Sequence, residues 1–283
     1  MIDRVDRVQM AVSDMEKAAK NFGDILGARV IRKSVSSYLG ARRTIMALGE
    51  SEVELCEPDG TGIVAAFMTK RGEGLLSAGF STSNPSSLIR RIEGLGVIPA
   101  TDGDQIYIPP EQTFGLRIVI SPSRPGHRIG PVSFLYEVTH TLTSDWRKIA
   151  ACHTGLLGLD PTRFSHIKSG RFGYEGTLTL FNPPDRLDRI ELSQVYNQDS
   201  AMGRWGFKHG DSLYMCYCEA HDIEDIISRL EHTNSRWTPR GDDRKKEKDG
   251  LWVHPSALHG LLLGVSRTTL AWEWSGRPEL VRP

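Results

Sequence analysis

Cysteine is scarce in this sequence, and the few cysteines do not form a disulfide framework. Four cysteines in 283 residues are too few to staple a fold of this length with disulfides. Cys216 and Cys218 are close in sequence, but no second cysteine or histidine pair stands at zinc-finger spacing. We therefore expect buried free thiols and a reducing, cytoplasmic environment.

The sequence also lacks an excess of charge of one sign and any long apolar run. Lysine plus arginine total 35, as do aspartate plus glutamate, so no global charge favours a nucleic acid or an anionic membrane as partner. No apolar run approaches the roughly 18 residues of a membrane span, and the first residues lack the pattern of a signal peptide. A hydrophobic content of 39% instead predicts a globular protein of one large or two ordinary domains.

Four segments of the sequence share one pattern. In each, an apolar strand leads into a small polar or acidic residue, a helical stretch, and a glycine or small turn. The segments are residues 8–28, 78–97, 139–159 and 215–234. Self-similarity of this kind indicates a repeated structural unit.

Capping residues mark where the four predicted helices begin and end. A side-chain oxygen at a helix start satisfies backbone amides that otherwise lack a partner. The predicted starts are Ser13 with Glu16 as a capping box, Asn84 with Pro85 at the first helical position, Ser144 or Asp145, and Asp222. The predicted ends of three helices are Gly27, Gly96 and Gly158.

Strand-like runs follow each predicted helix, so each unit consists of a strand, a helix and further strands. A lone helix cannot bury its apolar face, and the units must therefore pair. We predict an α+β fold of two tandem domains, each with paired βαβββ modules that form a cupped sheet with helices outside. The predicted boundaries are 1–120 for the front domain, 121–131 for a linker, 132–267 for the back domain and 268–283 for a C-terminal tail.

The two halves also match each other in two stretches. Glu54 in EVELCEP corresponds to Glu191 in RIELSQV, and IPPEQTFGLRIVI corresponds to VHPSALHGLLLGV. With this pattern the chain, from residue 5 to about 267, resembles the vicinal oxygen chelate superfamily. That group includes glyoxalase I, methylmalonyl-CoA epimerase, the bleomycin-resistance proteins and the type I extradiol dioxygenases. The VHPSALHGLLL stretch is similar to the end of the epimerase group, whereas the length and two-domain plan are similar to the extradiol enzymes.

The resemblance implies a divalent metal on the inward face of a cupped sheet (Fe, Mn, Zn or Co) and no organic cofactor. The implied ligand positions are Arg7, Glu54, Ser77 and Val119 in the front domain, and Val138, Glu191, Met215 and Gly264 in the back domain. Only the two glutamates are ordinary metal ligands, so metal binding stays open. We predict that Arg7 and Glu54 form a buried ion pair in a silent front site.

A polar constellation remains in the back domain. His140 lies two residues beyond Val138, so strand alternation predicts the same face for both. The resemblance makes the first and fourth strands neighbours, and we therefore expect His140 to face Glu191. The candidate catalytic residues are His140, Glu191 and Tyr217; the candidate substrate-binding residues are His254, His259 and Trp252; the candidate metal ligands are His140, Glu191 and His259. For each histidine and for Tyr217, a structural role in the core or a turn is the alternative.

Three classes of function stay open. The first is a catabolic lyase, isomerase or epimerase of the glyoxalase and epimerase type, which acts next to a carbonyl or phenol with or without a metal. The second is a ring-cleaving dioxygenase of the extradiol type, and the third is a protein that sequesters a small ligand without catalysis. The expected partner is a small molecule, either aromatic or an acyl-CoA, and a homodimer stays open.

Two further segments carry less information. The mixed charge run at residues 240–250 predicts a solvated loop. The tail with Trp272 and Trp274 is expected to pack onto the second domain.

Overall fold

The chain forms two eight-stranded sheets, one after the other in sequence. The computed structural model describes residues 1–126, 128–183, 186, 188–240 and 250–267. The front sheet lies within residues 4–122 and the back sheet within residues 132–266. The predicted α+β plan with two tandem units is confirmed, while the assignment of 121–131 as a domain linker stays a prediction.

Both halves contain the same series of elements. The front elements are β1 (Arg4–Ala11), α1 (Met15–Leu26), β2 (Arg29–Ser36), β3 (Ala41–Leu48), β4 (Ser51–Pro58), α2 (Ile63–Arg71), β5 (Gly74–Thr82), α3 (Pro85–Gly94), β6 (Ala100–Asp102), β7 (Gln105–Ile108) and β8 (Ile118–Pro122). The back elements are β9 (Val132–Leu142), α4 (Trp146–Leu157), β10 (Phe164–Ser169), β11 (Tyr174–Leu180), β12 (Arg189–Val195), α5 (Ala201–His209), β13 (Ser212–Ala220), α6 (Ile223–His232), β14 (Trp237–Pro239), β15 (Gly250–Val253) and β16 (Leu262–Ser266).

Strand order is identical in the two sheets. It is β2-β3-β4-β1-β5-β8-β7-β6 in the front sheet and β10-β11-β12-β9-β13-β16-β15-β14 in the back sheet. Within each module the first strand pairs in parallel with the fourth, as β1 does with β4, and the two modules join through an antiparallel pair of first strands, β1 with β5. These pairings confirm two βαβββ modules in each half.

Three of the four predicted helix starts are correct. Asn84, Asp145 and Asp222 each accept a hydrogen bond from a backbone amide in the first helical turn. The capping box at Ser13 is wrong, because Asp14 caps α1 instead. A Glu73 carboxylate oxygen accepts hydrogen bonds from both the backbone amide and the hydroxyl of Ser13, which holds this residue next to the start of β5.

Two helices, α2 and α5, were not predicted from the sequence. Each connects the two modules of one half. Helix α2 begins after Gly62, which provides no side-chain cap, and Val64 is its one buried residue. The usual signals of a capped amphipathic helix are therefore absent from this stretch.

One apolar core extends through both halves. It lies between the sheets and helices α1, α3, α4 and α6, and the rings of Phe80 and Phe181 meet there with centroids 5.9 Å apart. The cysteines are free, and Cys56, Cys216 and Cys218 are buried, as predicted. In the described part of the chain, no helix has the length and apolarity needed to cross a membrane.

Candidate functional site in the back sheet

The inner face of the front sheet, here called the front cup, is filled by its own polar side chains. Glu54 is fully buried and accepts hydrogen bonds from Arg7, Gln9 and Gln105. Burial disfavours its ionisation, but the charge of Arg7 and the hydrogen bonds outweigh this effect and lower the pKa of Glu54. The predicted ion pair of Arg7 and Glu54 is confirmed.

Apolar side chains close the rest of the front cup. Helix α2 covers it with Val64, and Tyr38 packs on Tyr107 with ring centroids 4.4 Å apart. Buried Ala11, Leu76 and Val119 belong to the same cluster. The front cup is thus occupied by the protein itself.

The equivalent face of the back sheet, here called the back cup, contains an open cavity of about 650 Å³. Aromatic and charged side chains form much of its wall. They are Phe172, Tyr174, Tyr214, Tyr217, Trp252, Lys168, Arg171, Glu137, Arg189, Glu191 and Arg240. A cavity of this size, apolar with a few convergent polar groups, is typical of a small-molecule site.

Two carboxyl groups and one guanidinium lie together in the wall of the back cup. In the register of β9 with β12, Glu137 pairs with Arg189 and Thr139 pairs with Glu191. The Nε of Arg189 donates to Glu137 Oε2 at 2.5 Å. Glu191 accepts hydrogen bonds from Ser193 Oγ at 2.5 Å and from Thr139 Oγ1 at 3.2 Å.

The environment of Glu191 favours its protonated form. Burial and then the nearby negative charge of Glu137 raise the pKa of Glu191 to about 8. The hydroxyl of Ser193 and the charge of Arg189 oppose this shift without cancelling it. The pKa of Glu191 thus lies closer to neutral pH than that of an ordinary glutamate, as is common at functional sites.

The prediction that His140 faces Glu191 is wrong. Leu192, and not Glu191, is the register partner of His140, so strand alternation directs Glu191 and His140 to opposite faces of the sheet. The front pair that corresponds to Thr139 and Glu191 is Gln9 and Glu54. The sequence alignment of the halves was thus one residue out of register along this strand, and Arg7 corresponds to Glu137 rather than to Val138.

His140 lies in the apolar core on the helix side of the back sheet. Its Nε2 is 2.8 Å from the carbonyl oxygen of Phe114, and its ring stacks on His153 of α4 with centroids 5.7 Å apart. Burial lowers the pKa of His140 to about 4, and burial followed by the charge of His140 lowers the pKa of His153 to about 3. Both imidazoles are neutral in the folded protein at neutral pH.

Three other predicted site residues do line the back cup. Trp252 Nε1 donates to Tyr217 Oη at 3.4 Å, and the Arg240 guanidinium lies 5.2 Å from the Tyr217 ring centroid. The Tyr217 ring passes over Gly264, where an added Cβ would lie 2.0 Å from ring atoms. His254 also lines the cavity, with Nε2 2.6 Å from Thr238 Oγ1.

His259 lies elsewhere, at the junction with the front half. Its Nδ1 is 2.9 Å from Glu73 Oε2, and its Nε2 is 3.2 Å from Asn21 Nδ2. The next residue, Gly260, has φ +88° and lies so close to the Glu73 carbonyl that an added Cβ would be 2.3 Å from the oxygen. The prediction that His259 serves the cavity is therefore wrong, because this turn docks on the front half.

The predicted metal ligands do not come together. His140 and His259 bond to partners outside the back cup, and Glu191 is the only member of that set in the cavity wall. Within the described ranges, no group of three His, Cys, Asp or Glu side chains could hold a metal ion. The back cup does contain a second carboxylate, Glu137, but Arg189 is bound to it. The three-ligand site of metalloenzymes does not fit these residues.

The residues of the cavity wall that were missed in the sequence include Glu137 and Arg189. The alternation of side chains along a strand could have placed them on the cavity face. Arg189 lies two residues before Glu191, and Glu137 lies two residues before Thr139. Among the other predictions, most of the charged run at 240–250 and the tail with Trp272 and Trp274 lie outside the described residues.

Comparison with known proteins supports the fold. Residues 6–109 match a family model described as Glyoxalase/Bleomycin resistance protein/Dioxygenase superfamily. The front half is therefore similar in sequence to this superfamily. The resemblance predicted from the sequence is thereby confirmed, and the repeat of the strand order extends the same fold to the back half.

Two solved structures of low sequence identity show the same fold over 94% of this chain. A mutant of 4-hydroxymandelate synthase from Streptomyces coelicolor superposes with a TM-score of 0.71 at 14% identity, over 94% of this chain and 93% of that one. A fusion protein of a xylose isomerase-like TIM barrel and 4-hydroxyphenylpyruvate dioxygenase gives 0.62 at 10% identity, over 94% and 49%. Methylmalonyl-CoA epimerase from Mycobacterium tuberculosis gives 0.40 at 22% identity, over 44% and 90%. A search of curated protein sequences found no match.

Proposed function

We propose that the back cup is the active site of a lyase or isomerase that moves a proton next to a carbonyl group of a small molecule. The observation that carries this proposal is Glu191, a buried carboxyl group beside a second carboxylate in the wall of an open cavity. Such an arrangement is costly to a fold and is typical of functional sites. The rest of the cavity wall, with Tyr217 and Trp252, provides a surface for an apolar or aromatic body.

In the proposed step, ionised Glu191 removes a proton from the carbon next to the carbonyl. The carbon–hydrogen bond breaks, the proton passes to a Glu191 oxygen, and the electron pair moves to the carbonyl oxygen to give an enolate. A carboxylate whose pKa is near 8 is a stronger base than an ordinary glutamate and is still partly ionised at neutral pH. Return of the proton to either carbon face, or loss of a leaving group, gives an isomerase or a lyase.

Tyr217 is the proposed second acid. Its hydroxyl lies in the cavity wall, where Trp252 Nε1 donates to it and leaves the phenolic proton for another acceptor. Burial raises the pKa of Tyr217, so the phenol remains protonated and can donate a hydrogen bond to the enolate oxygen.

Exchange of carbon-bound hydrogen for deuterium tests the proposal without knowledge of the full reaction. The protein is incubated in deuterium oxide with a panel of aryl ketones, 2-oxo acids and acyl thioesters, and proton NMR follows the loss of the signal next to each carbonyl. We expect exchange of at least one compound and a decrease of about 10²- to 10⁴-fold in Glu191→Gln. Tyr217→Phe should lower the rate while preserving the fold.

The same assay separates catalysis from sequestration. A panel member that binds tightly to the wild type but exchanges no faster than in buffer would support a sequestering protein. A Glu191→Gln variant that exchanges at the wild-type rate would contradict the assignment of the base.

A further inference from the structure

Arg189 lies in the wall of the back cup next to Glu191, which is one of the metal-ligand positions that the resemblance implies. Its guanidinium is 2% exposed and lies beside both Glu137 and Glu191 in the cavity wall. In the strand register Arg189 pairs with Glu137, which is the residue of β9 equivalent to Arg7 of β1. A fixed positive charge is therefore already present between the first and fourth strands.

The hydrogen bonds of Arg189 are incomplete among the described residues. Nε donates to Glu137, whereas Nη1 is buried and has no hydrogen-bond partner. A buried donor without a partner costs free energy, so such a group in a cavity wall is ready to bind an acceptor that arrives from outside. Arginine suits this role because its planar donors match the two oxygens of a carboxylate or enolate.

We propose that Arg189 binds an oxyanion of the substrate and that its guanidinium takes the place of the divalent metal. The inference rests on the proposed function, since the enolate that Glu191 would generate is the anion that Arg189 would stabilise. It also defines a substrate class: a carbonyl compound with an oxygen that becomes or already is negatively charged, such as an oxo acid. No metal ion takes part in any step.

Oxalate is a suitable probe because it resembles a planar enolate with two adjacent oxygens. The full-length protein is treated with a chelator and dialysed, its metal content is measured by mass spectrometry, and oxalate binding is followed by calorimetry and thermal melting. We expect metal-free wild-type protein to bind oxalate. Arg189→Lys keeps the charge but loses the forked donors, and it should weaken oxalate binding about tenfold or more.

Two further variants serve as controls, one for misfolding and one for the location of binding. Glu137→Gln combined with Arg189→Gln removes both charges of the ion pair, so no buried charge is left alone, and this protein should also fail to bind oxalate. Arg7→Lys is the matched control in the front cup and should leave oxalate binding unchanged.

Three results would overturn the inference: oxalate binding that requires added Zn²⁺, Mn²⁺ or Fe²⁺, Arg189→Lys that binds as tightly as wild type, or folded wild type that does not bind. Deuterium exchange distinguishes this failure from failure of the proposed function. Exchange that depends on Glu191 without oxalate binding would reject only the role of Arg189. Oxalate binding through Arg189, together with unchanged exchange in Glu191→Gln, would reject only the proton-transfer step.

Discussion

The front and back cups place the same charged pair in the same register, but with the signs exchanged. Arg7 on β1 pairs with Glu52 on β4, and Glu137 on β9 pairs with Arg189 on β12. Two residues further along the fourth strand, each cup has a glutamate, Glu54 or Glu191. The architecture thus preserves a polar centre in both halves while its surroundings differ.

The neighbours of the equivalent glutamates decide how each behaves. Glu54 has two guanidinium groups nearby, Arg7 in hydrogen-bond contact and Arg43 at 3.6 Å, and its pKa is lowered. Glu191 accepts hydrogen bonds from two hydroxyl groups and lies beside the carboxylate of Glu137, and its pKa is raised. A carboxylate paired with buried guanidinium groups stabilises a fold, whereas one whose ionisation is disfavoured next to a cavity is available for chemistry.

Replacement of Glu54 should produce the largest change in stability. Glu54→Gln removes the shared anion of the front cup and leaves Arg7 and Arg43 buried with less negative charge, at a cost on the order of 3 kcal/mol. Chemical denaturation at neutral pH measures this loss. Deuterium exchange should stay at the wild-type rate in the same variant, and loss of exchange in a folded protein would contradict the silent front cup.

The helix sides of the two sheets should respond differently to acid. At the positions of His140 and His153 the front half has Met10 and Phe22, both fully buried. The folded pKa values of about 4 and about 3 lie below the ordinary value of 6.5. As the pH falls below about 6.5 the unfolded chain binds protons first, so stability should decrease by a few kcal/mol by about pH 4.5.

Replacement of His140 and His153 by the residues at the equivalent front positions tests this difference. The double variant His140→Met with His153→Phe should remove most of the acid-dependent loss, as measured by urea denaturation at pH 7 and pH 4.5. An unchanged pH dependence would show that other groups cause it.

Replacement of Glu191 should have a smaller effect on stability, and of opposite sign to that of Glu54. The folded pKa of about 8 lies above the ordinary value of 4.5. The stability associated with the protonated group is therefore fully present below about pH 4.5 and is lost as the pH rises through about 8. Glu191→Gln should remove this loss and raise the melting temperature at pH 8 by several degrees, at about 2–4 °C per kcal/mol. Similar melting temperatures of both proteins at pH 8 would argue against a buried, protonated Glu191.

Much of the fold could be predicted because the sequence features that indicate it involve residues close to one another in the chain. Caps such as Asn84 and Asp222, and the repeat of strand and helix, depend on residues close in sequence. The edge strand β2 was missed because its residues are largely exposed, and helix α2 was missed because it lacks a side-chain cap. The buried positions of Glu54 and Glu191 could be predicted because each lies in an apolar strand.

The rest of the site could not be predicted because it depends on register. Asp14 and Asp145 both cap helices, 131 positions apart, whereas Gln9 and Thr139 are equivalent strand positions 130 apart. The back half thus has one more residue between Thr139 and Asp145 than the front half has between Gln9 and Asp14. An alignment anchored on the caps therefore moved His140 to the cavity face and Glu137 away from it.

The central claim, that proton transfer belongs to Glu191 and not to Glu54, is tested most directly by the pH dependence of deuterium exchange. The rate for the most reactive carbonyl compound is measured between pH 5 and pH 10 for wild type, Glu54→Gln and Glu191→Gln. Because the base must be ionised, the rate in wild type and in Glu54→Gln should rise about tenfold per pH unit and level off above about pH 8. In Glu191→Gln this rise should disappear. A rise that persists in Glu191→Gln, or that disappears in folded Glu54→Gln, would contradict the account.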